Sequence, residues 1–257
     1  MKFFIDVQGT LIDDKERKPI AGSIECIQAL NEKNIPYIII TNNTKHSSQE
    51  FLNYLNSLGF PIPKERYIDP LMVLEEVLPK ESIAPYGVEG FLQVLQSMGY
   101  RFDYHEPKAV VISVKNDYTF DEFAQIDELL LQGASLIGMH QTSLYAKGEK
   151  RYPGVGALLA MFEYACGVQS QVVGKPSKLF YKKALKKVGG KFGDVVIISD
   201  DPQGDLIGAK KLGMKTVFVL SGKYKSAKEI VPKLPKEYRP DLIYDTIAQA
   251  AKALGVL

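Results

Sequence analysis

The chain has 257 residues, of which 46% are hydrophobic and 24% are charged, so a packed globular core is expected and extensive disorder is excluded. Its 32 basic and 30 acidic residues leave a formal net charge of +2, which gives no general attraction to nucleic acid or to an anionic membrane. The longest apolar runs are shorter than the ~20 residues that span a bilayer, and the apolar stretch after Met1 is too short for a signal peptide. A cytoplasmic protein with neither a nucleic-acid nor a membrane partner is therefore expected.

The first part of the chain predicts a strand, a helix and a second strand. The run KFFID is typical of a strand, IAGSIECIQALNEKN has the apolar period of a helix, and YIIIT is typical of another strand. Because YIIIT is apolar throughout, it is expected to be buried on both faces of a parallel sheet. The segment SSQEFLNYLNSLG then predicts a helix that ends at Gly59.

A second group of predicted elements lies between residues 81 and 171. The segments SIAPYG, AVVISV and SLIGMH predict strands, and the segments between and after them predict helices, which is enough for a small α/β domain. After it, DVVIISDD and KTVFVLSG predict strands, while KPSKLFYKKALKKVG and QGDLIGAKKLG predict helices. The expected fold class is α/β, with a Rossmann-like parallel sheet formed by residues 1–80 and 172–257 and an α/β domain inserted at 81–171.

Polar residues follow three of the predicted strands. They are Asp6 after the first strand, Thr41, Asn42 and Asn43 after the second, and Asp200 with Asp201 after the run VVIIS. Ligands of an open α/β sheet bind outside the carboxyl ends of its strands, so these side chains are expected to converge. Lys175, in VGKPS, opens the segment that returns to the sheet. A nucleophilic carboxylate, carboxylates for a divalent cation, a hydroxyl, an amide and a lysine are what phosphoryl transfer requires.

Each of these residues also has a structural interpretation, which the sequence leaves open. An aspartate shortly before Gly-Thr is often a turn residue, and Thr41 with Asn42 could cap the next helix. Asp200 and Asp205 could be turn or helix-start residues, and Lys175 could be a surface lysine. The order of the residues and their common location favour a site.

Four motifs, DVQGTL, TNNT, GKP and SDDPQGDLIGAKKLG, resemble in order and separation those of the haloacid dehalogenase-like phosphatases. The segment RYPGVGALLAMFEYACGVQSQVVGKPS is similar more narrowly to the p-nitrophenylphosphatase or NagD-type branch, which carries a large α/β cap between the second and third motifs. The resemblance covers nearly the whole chain. It implies that residues 81–171 form a cap, and it makes a homodimer through that cap an expectation.

The resemblance also implies a role for each motif residue. Asp6 would be the nucleophile that forms an aspartyl phosphate, Thr41 and the main-chain amide of Asn42 would hold phosphoryl oxygens, and Lys175 would neutralise the phosphoryl charge. The implied Mg²⁺ ligands are Asp6, the main-chain carbonyl of Gln8 and Asp200, with Asp205 as a supporting residue. Such hard oxygen ligands suit magnesium. The implied substrate is a small phosphorylated metabolite.

Two positions depart from the family pattern. Gln8 stands where the family has a second aspartate that protonates the leaving group and later activates water, and a neutral amide can do neither. Because such acid/base help is worth ~10²–10⁴ in rate, we expect a slow or specialised phosphatase. Ser199 stands where the fourth motif usually has glycine. Two other functions stay open: a catalytically silent phosphate-binding or sensing module, and a phosphotransferase.

Overall fold

The structure, a computed structural model, describes residues 1–147 and 150–257, and its chain forms two compact units. Unit one comprises Met1–Thr41, Gln49–Ile68 and Tyr181–Leu257. Unit two comprises Asn42–Ser48 and Asp69–Phe180. Each unit contains a sheet with parallel strands and accompanying helices, which confirms the predicted α/β fold class. The predicted domain limits, 1–80 with 172–257 and 81–171, stay a prediction.

Thirteen strands and nine α-helices occur among the described residues. The strands are β1 Lys2–Asp6, β2 Tyr37–Ile40, β3 Tyr67–Ile68, β4 Ser82–Tyr86, β5 Arg101–Phe102, β6 Ala109–Ile112, β7 Ser135–Gly138, β8 Leu144–Lys147, β9 Lys150–Pro153, β10 Ser170–Val172, β11 Val195–Ser199, β12 Lys215–Val219 and β13 Leu242–Tyr244. The helices are α1 Ser23–Glu32, α2 Ser48–Ser57, α3 Pro70–Val77, α4 Glu89–Ser97, α5 Phe120–Leu131, α6 Val155–Cys166, α7 Lys178–Val188, α8 Ile207–Lys211 and α9 Ile247–Ala253.

The sheet of unit one has six parallel strands in the order β13-β12-β11-β1-β2-β3. Its central strands are apolar at nearly every position, and Phe3, Phe4 and Ile5 of β1 are each no more than 1% exposed. Burial of such a side chain stabilises the fold by about 1.5–3 kcal/mol. The alternation of strand and helix makes these strands parallel, and the apolar runs are long enough to be covered on both faces.

Unit two has a five-stranded parallel sheet in the order β10-β7-β6-β4-β5, and β8 and β9 form a separate antiparallel hairpin. Its core joins the sheet to α5 and α6 through buried aliphatic and aromatic side chains. Helix α5 begins with a capping box, in which the Thr119 hydroxyl accepts from the amide of Glu122 and the Glu122 carboxylate accepts from the amide of Thr119. This reciprocal cap satisfies two amides that the helix itself leaves unpaired.

The segment QGDLIGAKKLG differs from the helix predicted for it. It begins with a five-residue π-helical turn, Pro202–Leu206, and α8 follows. In this turn the main-chain carbonyl of Asp201 accepts from the amides of Asp205 (3.0 Å) and Leu206 (3.3 Å), and the Asp201 carboxylate caps the turn by accepting from the amide of Gly204 (2.9 Å). Turns of this kind are frequent at functional sites. Within the described residues, no helix combines the length and apolarity needed to cross a membrane.

Candidate active site

Three predicted site residues of unit one follow the carboxyl ends of three adjacent parallel strands. Strand β1 lies between β11 and β2, with Ile5 opposite Ile198 and Asp6 opposite Ile40. Asp6, Thr41 and Asp200 come at or directly after the ends of these strands, and each is no more than 5% exposed. The sheet therefore places them at one edge, where open α/β sheets bind ligands.

The turn after Asp6 holds Gln8 beside Thr41. The amide of Leu11 donates to the carbonyl of Val7 (2.8 Å), and Gly9 adopts a φ of +69°, which glycine tolerates without steric penalty. The hydroxyl of Thr41 donates to the side-chain oxygen Oε1 of Gln8 at 3.1 Å. The substitution at position 8 thus keeps a hydrogen-bond acceptor for Thr41 but supplies no titratable proton.

Asp200 is buried and lies close to another carboxylate. Burial raises the pKa of Asp200 well above its ordinary value, and the negative charge of Asp6 raises it further. The main-chain amide of Lys223 donates to Asp200 Oδ2 at 2.7 Å and partly offsets this rise. A buried carboxylate whose proton affinity is raised by a second carboxylate is an arrangement that a divalent cation stabilises. We refer to Asp6, Asp200 and Asp205 as the acidic edge.

The surroundings of Asp200 fit a cation site. A Cβ atom at Gly9 would lie 2.2 Å from Asp200 Oδ2, and one at Gly222 would lie 2.0 Å from the same oxygen. Two glycines therefore leave just enough room for this carboxylate. No group of three or more His, Cys, Asp and Glu side chains within the described residues is arranged to hold a metal. The predicted set has two direct carboxylates and one carbonyl, which suits Mg²⁺ because this ion usually keeps several waters.

Asp205 is placed in the π-helical turn and is 3% exposed. The hydroxyl of Ser199 donates to Asp205 Oδ2 at 2.7 Å, and the phenol of Tyr181 donates to the Asp205 main-chain carbonyl at 3.1 Å. Both its carboxylate and its backbone are thus held by buried side chains of unit one. Sequence reasoning noted Ser199 only as a departure from the family pattern.

The loop after β12 was missed from the sequence. Its Ser221 hydroxyl donates to the carbonyl of Gly9 (2.7 Å), and the Lys223 amide holds Asp200 as described above. The Lys223 ammonium lies 3.0 Å from Asp201 Oδ2. The sequence LSGK could have indicated this loop. It follows β12, the strand next to β11, and contains a glycine where two chain segments meet.

Unit two holds the other two predicted residues, Asn42 and Lys175. Asn42 Oδ1 accepts from the main-chain amide of Lys175 at 2.9 Å, and the amide of Gln141 donates to the Lys175 carbonyl at 3.2 Å. Lys175 is 3% exposed. A Cβ atom at Gly174 would lie 2.7 Å from Asn42 Oδ1, so glycine is required for this close approach. We refer to residues 174–176 as the lysine loop.

His140 lies in the same part of unit two. Burial lowers its pKa to about 4, and the positive charge of Lys175 contributes to the decrease. The amide of Thr142 points to His140 Nδ1 at 3.4 Å, so Nδ1 is the accepting nitrogen of the neutral ring. The histidine is therefore neutral at pH 7, and its low pKa gives it little capacity as a proton donor there.

The sequence comparisons identify the family. Residues 3–101 match the family described as haloacid dehalogenase-like hydrolase, and residues 172–250 match the related HAD-hydrolase-like family. Haloacid dehalogenase-like hydrolase domain-containing protein 2 from Bos taurus is 30% identical over 88% of this chain and 86% of its own length. The chain belongs to the haloacid dehalogenase-like hydrolases. Phospholysine phosphohistidine inorganic pyrophosphate phosphatase from Homo sapiens is 29% identical over 97% of this chain and 92% of its own length.

Solved structures support the same fold. A p-nitrophenyl phosphatase from Archaeoglobus fulgidus superposes with a TM-score of 0.84 at 22% identity, over 98% of each chain. NagD from E. coli K-12 superposes with a TM-score of 0.76 at 24% identity, over 96% of this chain and 97% of its own. These neighbours share the fold expected from the NagD-type resemblance. The family matches, together with the phosphatase among the relatives, confirm the predicted enzyme class of a haloacid dehalogenase-like phosphatase.

Proposed function

We propose that this chain is a Mg²⁺-dependent phosphatase that acts on a small phosphorylated substrate through an aspartyl phosphate at Asp6. The observation that carries the proposal is the acidic edge, where Asp6 ends β1 and the buried Asp200 follows the adjacent strand β11. The raised pKa of Asp200, caused by burial and by Asp6, supports a cation as the natural partner of these carboxylates.

In the first step, an oxygen of the Asp6 carboxylate forms a bond to phosphorus while the bond from phosphorus to the leaving group breaks and its electron pair departs with that group. In the second step, water attacks phosphorus, the bond to Asp6 breaks, and inorganic phosphate forms. Mg²⁺, when bound to Asp6, Asp200 and the Gln8 carbonyl, would supply positive charge opposite the phosphoryl oxygens. Asp205 would support this ligand set from the π-helical turn.

Gln8 determines which substrates suit this site. Its amide accepts from Thr41 and cannot deliver a proton to a leaving group or remove one from water. A leaving group that is already a stable anion departs without protonation, whereas a sugar alkoxide does not. The second step also lacks its base, so the aspartyl phosphate is expected to accumulate and turnover to be slow.

A phosphoanhydride is the substrate class that best fits this restriction. Its leaving group is a phosphate or a substituted phosphate, which is stable as an anion at neutral pH. The name of the Homo sapiens relative, phospholysine phosphohistidine inorganic pyrophosphate phosphatase, includes one such compound, inorganic pyrophosphate. We therefore propose small phosphoanhydrides as the first substrates to test.

Four further expectations from the sequence are also proposals. Lys175 and the main-chain amide of Asn42 are proposed to bind phosphoryl oxygens. A homodimer through the inserted domain and a cytoplasmic location are likewise proposals.

The decisive experiment is a rapid-mixing time course of p-nitrophenol release at high enzyme concentration, with Mg²⁺ and p-nitrophenyl phosphate. Nitrophenolate scarcely needs an acid, so the first step is isolated from the change at Gln8. We expect a burst stoichiometric with enzyme, followed by a slow phase. Asp6→Asn is the control, and it should remove both phases, a loss on the order of 10⁴-fold or more.

The same time course distinguishes the alternatives. Wild-type enzyme that binds phosphate and Mg²⁺ but releases no p-nitrophenol would contradict the proposal and favour a silent binding module. A burst whose slow phase accelerates when an alcohol or a second phosphate acceptor is added, with the acceptor becoming phosphorylated, would instead identify a phosphotransferase.

A further inference from the structure

Ser199 is the last residue of β11 and its side chain is fully buried. Its hydroxyl makes two hydrogen bonds within the loop that follows. It donates to Asp205 Oδ2 at 2.7 Å, and it accepts from the main-chain amide of Asp201 at 3.1 Å. One hydroxyl thus bonds to both Asp201 and Asp205, in the segment that directly follows Asp200.

The hydroxyl is not needed to form β11. The strand is paired with β1 and β12 through its main chain, and its neighbours in the strand are apolar. Glycine, which the family pattern usually has at this position, pairs in the same way but makes neither side-chain bond. The hydroxyl of Ser199 is therefore not required for the fold.

The bond to Asp205 fixes the orientation of a carboxylate. A short hydrogen bond from a hydroxyl to a carboxylate is roughly twice as strong as one between neutral groups. The backbone of the same residue is held separately by the phenol of Tyr181. With both groups held, the Asp205 carboxylate has one defined direction before any ligand binds.

We infer that Ser199 is a positioning residue that acts through Asp205 to preform the acidic edge for its cation. The inference rests on the proposed function, because it takes the acidic edge to be the Mg²⁺ site. Groups that bond to the ligands of a metal and orient them typically contribute 10–100-fold to metal affinity. Ser199 acts one step further out, through the supporting residue Asp205, so we expect its hydroxyl to contribute at the lower end of this range.

Thr216 provides a matched control in the same unit. It is also fully buried, and its hydroxyl donates to the carboxylate of Asp241 at 2.8 Å. Loss of either hydroxyl removes one hydrogen bond from a buried side chain to a carboxylate. Only the loss at Ser199 should change the affinity for a cation.

The test is calorimetric titration of the full-length chain with Mg²⁺ alone, without substrate. Ser199→Ala should raise the Mg²⁺ Kd by roughly 10-fold, the lower end of that range. Thr216→Ala should lower the melting temperature but keep the wild-type Kd. Ser199→Thr, which keeps a hydroxyl, should bind Mg²⁺ more tightly than Ser199→Ala. In an Asp205→Ala background, Ser199→Ala should cause no further loss, because its partner is gone.

An unchanged Mg²⁺ Kd in Ser199→Ala, or losses that add in the double variant, would overturn the inference. If Ser199→Ala fails to fold, Ser199→Gly takes its place with the same expected change in Kd. Release of p-nitrophenol is measured on the same samples. A wild-type chain that binds Mg²⁺ but releases none contradicts the proposed function and not the role of Ser199, whereas equal Kd values in an active enzyme overturn that role alone.

Discussion

The acidic edge of unit one and the lysine loop of unit two both bury charge, but they hold it in different ways. At the acidic edge the charged groups themselves are bonded, as with Asp205 to Ser199 and Asp200 to the amide of Lys223. At the lysine loop the main chain of Lys175 is bonded, to Asn42 and Gln141. The first set of bonds acts on the carboxylates directly, and the second acts on the backbone from which the Lys175 side chain extends.

The two regions also differ in the direction in which they shift the pKa of a buried side chain. Burial and Asp6 raise the pKa of Asp200, whereas burial and Lys175 lower the pKa of His140. The uncharged forms of Asp200 and His140 are both favoured, because burial penalises charge and a nearby like charge adds to that penalty. Substitutions should therefore change chemistry and metal binding at the acidic edge, and stability together with substrate binding around the lysine loop.

The largest gain in activity is expected from Gln8→Asp. The new carboxylate restores a group that can protonate a leaving group and activate water, and Thr41 can still donate to it. Steady-state turnover should rise by ~10² or more, with the greatest gain for substrates whose leaving group is an alkoxide. The measurement is steady-state kcat on p-nitrophenyl phosphate and on a sugar phosphate.

Gln8→Asn is the matched control for that change, because asparagine has the size of aspartate without its proton chemistry. It should show no gain. If Gln8→Asp also fails to raise turnover, or lowers it, the natural enzyme works without the missing carboxylate, and Gln8 is part of an intact specialised site.

The next largest effect is the dependence of stability on pH through His140. Its folded pKa of about 4 lies below the ordinary value of 6.5, so the folded protein binds fewer protons than the unfolded chain between these values. Its contribution to stability is complete above pH 6.5 and is lost as the pH falls towards 4. The loss amounts to up to about 3 kcal/mol.

Chemical unfolding of the wild type and of His140→Gln across pH 4–7 measures this contribution. The free energy of unfolding should fall less steeply with decreasing pH in His140→Gln. His105→Gln, which changes an exposed histidine of the same unit, should follow the wild type. Parallel curves for the wild type and His140→Gln would show that His140 is not held neutral.

Gly222→Ala tests the packing around Asp200. The added Cβ would lie 2.0 Å from Asp200 Oδ2 and 2.5 Å from the Cα of Gly9, so the carboxylate has to move. We expect a roughly 10–100-fold weaker Mg²⁺ affinity, measured by calorimetry. Gly193→Ala is the control, since nothing lies within 4 Å of its added Cβ. Equal Mg²⁺ affinities in the two variants would remove Asp200 from the proposed ligand set.

Much of the fold could be predicted from the sequence because its strands are strongly apolar and alternate with periodic helices. Strand β2, for example, lies within the predicted run YIIIT. The two-residue strands β3 and β5 and the hairpin β8–β9 were missed, since such short elements carry no clear period. The π-helical turn was missed because the bond that defines it, from the Leu206 amide to the Asp201 carbonyl, joins main-chain groups and leaves no mark in the residue pattern.

The residues of the candidate site also divide into those that a sequence pattern can find and those that it cannot. Asp6, Thr41 and Asp200 stand at strand ends, where a sequence pattern can find them. Ser221 and Lys223 act through a hydroxyl and a main-chain amide on residues more than twenty positions away, and no local pattern indicates such contacts. The hydroxyl of Ser199 was visible as a departure from the family, but its partner Asp205 became known only from the geometry.

The smallest effect is expected from Asn42→Ala, which removes the acceptor of the Lys175 amide. The net contribution of one such hydrogen bond is about 1 kcal/mol, measured as the free energy of unfolding. Asn42→Asp keeps an acceptor oxygen at the same distance along the side chain and should retain most of that stability.

If the lysine loop is held through its main chain, Asn42→Ala should also raise KM for p-nitrophenyl phosphate more than it lowers kcat. The ammonium of Lys175 remains in this variant, but the backbone that carries it is less fixed. A loss confined to kcat would mean that Asn42 contributes to the chemical step itself, and the contrast between side-chain and main-chain anchoring would not hold.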